Sequence, residues 1–266
     1  MSARFRARRR QRETPDAEVL QGVAAHDQAD GLADPFRELL GILRRLETEL
    51  HGNENWGPAH PADDIHRMVH WTVMTRVLVL RHAQSVWNAE RRWQGWADVP
   101  LSETGERQAA AAGARLRGTG LVAAVASDLR RARRTAELIS EELRLGPVRV
   151  DQGFRERDVG DWSGLSAEEM EERFPGQREA WRDGRLERPP GGESTPEVLE
   201  RVDAALARLE ADASPLLVVS HGGVIRALEH RAGLEPRAIA VLSGRWFELD
   251  GGKLVPGDPA AAGDVE

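Results

Sequence analysis

Two short apolar runs limit what this chain can fold into more than any other feature of its sequence. Val77, Leu78, Val79 and Leu80 form one, and Leu216, Leu217, Val218 and Val219 form the other. Both are continuous, rich in β-branched side chains and bounded by polar residues, which is the pattern of strands buried on both faces of a sheet. Each run leads into a histidine. Arg81 and His82 follow the first, while Ser220, His221, Gly222 and Gly223 follow the second. Open α/β sheets hold their ligands at the carboxyl ends of such strands. Packing explains a lone histidine there as readily as chemistry does. It does not readily explain two, one preceded by an arginine and the other followed by Gly-Gly.

The segments around these runs alternate in type. Helices are expected at 102–118, 129–143, 195–212 and 224–232, and strands at 121–126, 148–150 and 240–249. The stretch 153–190 reads as loop with short helices in which Trp162 and Trp181 pack. The first of these helices opens on Ser102 as its cap, with Gly105 in the place where a capping box has glutamate. Strands alternating with helices imply an α/β fold, a three-layer α/β/α sandwich around a mostly parallel sheet. The domain is expected over 74–256, followed by a loose tail at 257–266.

Residues 1–33 are polar and arginine-rich without an apolar period, and read as a disordered tail. A helical extension and linker is expected over 34–73. Asp34 and Pro35 form a helix start, and Phe36, Leu39, Leu40, Leu43, Leu46 and Leu50 recur at three- and four-residue steps as one apolar stripe. A single short helix must dock on something. Either the following domain or the same helix of a second copy, making a homodimer, would cover it. Beyond a turn-rich linker at 52–61, His66 and His70 share a helix face beside Asp63, the spacing of a metal pair. With no third ligand of evident purpose, surface histidines are the better reading, and no metal is expected.

Composition excludes several classes. The 266 residues carry 44 acidic against 37 basic side chains and a net charge of -7, so no general attraction to nucleic acid or an anionic membrane is expected. The absence of cysteine removes disulfides and thiol nucleophiles. No apolar run approaches the length of a membrane span, and no apolar segment follows the N-terminal arginines as in a secretory signal. A cytoplasmic protein is the expectation.

The ordered segments LRHAQSVWN, WQGWADVPLSETGERQA, SDLRRARRTAE, FRERDVGDWSG, PPGGES and VVSHGGVIRAL resemble the successive signatures of the histidine phosphatase superfamily, the phosphoglycerate mutase-like proteins. The resemblance spans about 74–247. It implies that His82 is the nucleophile that becomes phosphohistidine, that Arg81 and Arg131 hold the phosphate, and that His221 stabilises charge as imidazolium. It also implies that Asn88 completes the pocket through its amide, with Gly222 in contact with substrate, and that Glu156 protonates the leaving alkoxide and then activates water. Imidazole suits the first role as a nucleophile that is neutral near pH 7, and guanidinium forks suit phosphate oxygens. Arg130, Arg133 and Arg134 fall at non-matching positions and read as solvated. Asp158 and Asp161 read as turn and surface acids. Ala83 stands where the commonest motif has glycine, and Gln84 where glutamate is frequent, which would make the pocket entrance less acidic. Trp87, Trp93, Trp96 and Trp162 either line the mouth or pack the loops, packing being the commoner role.

The resemblance implies a metal- and cofactor-independent phosphatase acting on a small-molecule phosphoester. Two alternatives stay open: a cofactor-dependent phosphoglycerate mutase, and a non-catalytic module that binds phospho-ligands. No long insertion that would serve as a mutase lid is evident between Glu156 and His221.

Overall fold

A computed structural model describes residues 74–210, 212–235 and 237–263. The arginine-rich tail, the 34–50 helix, the 52–61 linker and the pair His66 and His70 lie outside the described residues.

Strand β1 (Thr75–Arg81) is the first apolar run. Its successive side chains point to opposite faces. Val77 and Val79 enter one core cluster, with Val198, Val202, Val224, Ile225 and Leu228. Leu78 and Leu80 enter another, with Ala109, Ala112, Ala132, Ala136 and Ile139. The second cluster is roofed by α2 (Glu103–Arg115) and α3 (Arg130–Leu143), the first by α6 (Thr195–Ala207) and α7 (Gly222–Arg231). This is the three-layer arrangement anticipated from the sequence. Leu78 is fully buried, so its truncation to alanine would cost about 2–5 kcal/mol.

Among the described residues the other strands are β2 (Ala123–Ala126), β3 (Arg149–Val150), β4 (Leu216–Ser220), β5 (Ser243–Asp250) and β6 (Lys253–Ala261), and the other α-helices are α1 (Val86–Ala89), α4 (Ala167–Arg173) and α5 (Gln177–Arg182). The strand order is β3-β2-β4-β1-β5-β6. Strands β1, β2, β3 and β4 run parallel, while β5 and β6 are antiparallel additions. Both β1 and β4 therefore have neighbours on each side and helices on each face, which is why they are continuously apolar.

The C-terminal expectation needs correction. Residues 257–261 are not a loose tail: β5 turns through Gly251 and Gly252, both at positive φ (52° and 82°), into β6, which pairs as far as Ala261. Among the described residues strand β6 pairs with β5 alone, so Pro256 and Pro259, which lack an N–H, fit an edge strand. Its residues are mostly exposed, leaving no alternation to read.

The departure at Gly105 has a steric cause. Ser102 Oγ accepts from the Gly105 N–H at 3.0 Å, as a cap should. A Cβ on Gly105 would lie 1.9 Å from the Gln84 carbonyl oxygen, so no larger side chain fits against the turn that follows β1.

Candidate active site

In the parallel ladder Arg81 pairs with Ser220. His82 and His221 each come one residue later, so the register sets them side by side at the carboxyl edge of the sheet. The His82 N–H extends the ladder to the Ser220 carbonyl at 3.0 Å. The two imidazoles meet edge to face with centroids 5.1 Å apart, and both are buried.

Two contacts settle the protonation of His82. Its Nδ1 lies 2.6 Å from the Ala83 carbonyl oxygen, which can only accept, so Nδ1 carries the hydrogen. Its Nε2 receives the Arg131 Nε–H at 3.3 Å, which can only donate, so Nε2 presents a lone pair. Burial lowers the affinity of His82 for a proton well below the usual imidazole value, and the positive charges of Arg131 and Arg81 reinforce this. The Ala83 N–H donates to Thr135 Oγ1 at 3.1 Å, a backbone bond that glycine would make as well, and Thr135 in turn donates to the Arg131 carbonyl at 2.7 Å. The nucleophile turn is thereby tied to α3.

Arg131 is fully buried. Its Nη1 and Nη2 donate to the carbonyls of Ala97 at 2.7 Å and Gly95 at 2.8 Å. Burial lowers its pKa to about 10, against the opposing pull of Glu156 and Asp98, so it stays cationic at neutral pH. Arg81 is anchored through Nη1 to the Ile239 carbonyl. Its Nε, like both ring nitrogens of His221, is buried without a hydrogen-bond partner among the described residues. Unpartnered buried donors of this kind are rare and mark places where a ligand's oxygens are accommodated.

Glu156 is positioned from three directions. Its Oε1 accepts from the Arg157 N–H at 2.8 Å and its Oε2 from the Gly223 N–H, at the start of α7, at 3.3 Å. Its carbonyl accepts from Trp96 Nε1 at 2.7 Å and Arg201 Nη2 at 2.9 Å. Arg201 also grips the carbonyls of Gly153 and Arg155, and is itself held by both oxygens of Glu193. A Cβ on Gly223 would lie 2.2 Å from Glu156 Oε1, so this glycine makes room for the carboxylate.

These groups meet in a cavity of about 210 Å³ lined by Arg81, His82, Asn88, Arg131 and Glu156. Asn88 Oδ1 is occupied by the N–H and hydroxyl of Ser85, which leaves its amide NH2 to donate. Three readings need amending. Gly222 does not line the cavity; Gly223 does, because the second residue of the helix is the one facing Glu156. His221 stands behind His82 rather than in the lining, and burial together with Arg131, His82 and Arg81 holds its pKa well below the usual value. Gln84 is absent from the mouth because its Oε1 accepts from Ser102 Oγ at 2.8 Å. The reading of Arg130, Arg133, Arg134 and Asp158 as peripheral fits the structure: Arg133 pairs with Glu137 and Arg134 with Glu106, and Asp158 Oδ1 closes a turn on the Gly160 N–H.

Sequence reasoning missed Arg157 and Arg226, which also line the cavity, because single arginines carry little signal in a chain with one lysine. Gly223 was visible only as half of a Gly-Gly pair. Trp162 is fully buried and meets Trp93 and Trp181 edge to face, a packing role, while Trp93 and Trp181 also reach the cavity. Among the described residues no group of three or more His, Cys, Asp or Glu side chains is placed to hold a metal ion, and no helix is long and apolar enough to cross a membrane.

The family described as "Histidine phosphatase superfamily (branch 1)" matches residues 77–242. A glucosyl-3-phosphoglycerate phosphatase of Mycolicibacterium vanbaalenii is 37% identical over 205 residues, covering 71% of this chain and 90% of that protein. A 2,3-bisphosphoglycerate-dependent phosphoglycerate mutase of Methylobacterium radiotolerans is 42% identical over 166 residues, covering 58% of this chain and 78% of that one. Among solved structures, a mycobacterial glucosyl-3-phosphoglycerate phosphatase in complex with VO3 superposes with a TM-score of 0.61 at 34% identity. The match covers 69% of this chain and 96% of that one.

Proposed function

Because this chain belongs to the histidine phosphatase superfamily, branch 1, we propose that it is a phosphatase that hydrolyses a small phosphomonoester through a phosphohistidine on His82, without a metal or other cofactor. The observation that carries the reading is the tautomer of His82: a lone pair on Nε2, backed by an Nδ1–H bond to the Ala83 carbonyl. The similarity to a protein that binds VO3, an oxyanion like phosphate, supports the same placement.

The chemistry runs in two steps. His82 Nε2 attacks phosphorus as the ester P–O bond breaks, and the Glu156 carboxyl gives its proton to the departing alkoxide. Water then loses a proton to the Glu156 carboxylate and attacks phosphorus as the N–P bond breaks, releasing phosphate and restoring the His82 lone pair. Arg81 and Arg131 supply charge to the equatorial oxygens, and the Asn88 amide donates to one of them. His221, edge to face with His82 and with both ring nitrogens unpartnered among the described residues, backs the nucleophile from beside the phosphoryl group.

The mutase reading has the Methylobacterium similarity in its favour. Purified protein given 3-phosphoglycerate with a bisphosphoglycerate primer separates the two: phosphate release faster than isomerisation supports a hydrolase, and the reverse order overturns it. His82→Ala should abolish either activity.

A further inference from the structure

One buried carboxylate plays no part in the chemistry above. Glu229, in the last turn of α7, is 2% exposed and does not line the cavity of His82. Three donors converge on its Oε1: Arg237 Nε at 2.9 Å, Arg237 Nη2 at 2.6 Å and Arg245 Nε at 2.8 Å. Its Oε2 has no partner among the described residues. An ion pair taken out of water adds little net stability, and well-packed apolar side chains of similar volume often do as well. One crowded oxygen beside an unpartnered one is poorer still as a source of stability. What such a cluster does fix is position.

Arg237 Nη2 also donates to the Gly244 carbonyl at 2.9 Å, and Arg245 Nη1 to the Gly257 carbonyl at 2.6 Å. Glu229 thus ties α7 to both ends of the segment 237–245, which runs into β5. Between those ends lie two groups that hold Arg81. The Ile239 carbonyl accepts from Arg81 Nη1 at 2.5 Å, and the Leu242 N–H donates to the Arg81 carbonyl at 3.1 Å. Leu242 itself sits at a φ of 54°, a conformation that a branched side chain keeps only where its surroundings impose it. Among the described residues the Ile239 carbonyl is the one hydrogen-bond partner of the Arg81 guanidinium, whose Nε has none. A guanidinium held by one bond goes where that carbonyl goes.

We infer that Glu229 is a positioning residue for the phosphoryl group: by clamping Arg237 and Arg245 it sets the Ile239 carbonyl, and through that carbonyl it aims the Arg81 guanidinium into the cavity of His82. Glu229 touches neither the reacting atoms nor the phosphoryl oxygens and acts through Arg81 alone. The inference rests on the phosphatase reading for the role of Arg81 and adds to it the element that holds that arginine in place.

A double-mutant cycle on the full chain tests this, with kcat/KM for p-nitrophenyl phosphate measured in the wild type, Glu229→Gln, Arg81→Gln and the double variant. Glu229→Gln keeps the shape of the side chain and removes its charge. Misplacing a group at the reacting centre by about 1 Å costs on the order of a hundredfold, so Glu229→Gln should lower kcat/KM by roughly ten- to a hundredfold. Inhibition by inorganic phosphate should weaken in step. In the Arg81→Gln background the same substitution should change kcat/KM by less than about twofold, because no guanidinium is left to aim. Arg237→Met perturbs the clamp from its more exposed side and should act in the same direction, which keeps the test open if Glu229→Gln does not fold. Arg237→Lys should restore part of the loss. An equal loss with and without Arg81 would reveal a merely structural role and overturn the inference, as would kcat/KM unmoved in Arg237→Met; either result leaves the phosphatase reading intact. Failure of the wild type to release phosphate from any ester removes that reading, and the positioning role with it.

Discussion

Gly223→Ala isolates the geometry of the acid-base group, because the added methyl meets that group and little else. Its Cβ would lie 2.2 Å from Glu156 Oε1, 3.1 Å from Cδ and 3.5 Å from Arg157 Cβ. The first two belong to the free end of a side chain, so the carboxylate swings away and breaks its bond from the Gly223 N–H. Stability should change little. Loss of one hydrogen bond costs about 1 kcal/mol, and replacing a helical glycine by alanine returns about 0.5–1 kcal/mol. Turnover should suffer far more, since misplacing a reacting group by about 1 Å costs on the order of a hundredfold and general acid-base catalysis contributes about 10²–10⁴-fold. The assay uses two esters. With an alkyl phosphate, whose leaving group needs protonation, kcat should fall at least about a hundredfold. With p-nitrophenyl phosphate, whose leaving group does not, the first step survives and hydrolysis of the phosphoenzyme limits. A burst of nitrophenol stoichiometric with enzyme should then appear. Unchanged kcat on both esters, with an unchanged melting temperature, would refute the positioning of Glu156 by this glycine.

Other outcomes follow from the same geometry. His82 and His221 are buried and neutral, with proton affinities lowered from the usual value near 6.5. Unfolding lets them protonate below that value, so they contribute stability above pH 6.5 that is lost as pH falls, at up to about 1.4 kcal/mol per pH unit each. Thermal melts between pH 7 and 5 should show a steeper decline for the wild type than for His82→Gln/His221→Asn, and equal slopes would contradict the neutral assignment. The acid limb of kcat/KM should accordingly lie well below pH 6.5. Arg131→Met removes the donors to the Gly95 and Ala97 carbonyls along with the phosphate contact. Denaturant melts should lose about 1–3 kcal/mol, and inorganic phosphate should cease to inhibit.

The legible parts of this chain were those with two-sided constraint. Strands β1 and β4 announce themselves because both faces of each are covered, and their terminal histidines stand out for the same reason. Nothing local says that the two strands are neighbours. That pairing, and with it the 5.1 Å approach of the imidazoles, depends on β4 returning between β2 and β1. Strand β6 escaped notice because an edge exposed to water needs no apolar alternation. The depressed pKa of His221 was equally hidden: a motif names a residue, whereas its proton affinity follows from burial, His82 and the three arginines that the fold places around it. Arg226 and Arg157 gave no signal of their place in the cavity lining, since in a chain whose cations are nearly all arginine, position rather than identity separates a surface charge from one that lines a site.

The central claim is that the lone pair on His82 Nε2 accepts the phosphoryl group. Rapid mixing with a 32P-labelled ester, an alkaline quench that preserves phosphohistidine, and peptide mapping test it directly. Label should appear on residue 82, accumulate in Glu156→Gln, and be absent from His82→Ala. Label on another residue, or turnover by His82→Ala at the wild-type rate, would contradict the account.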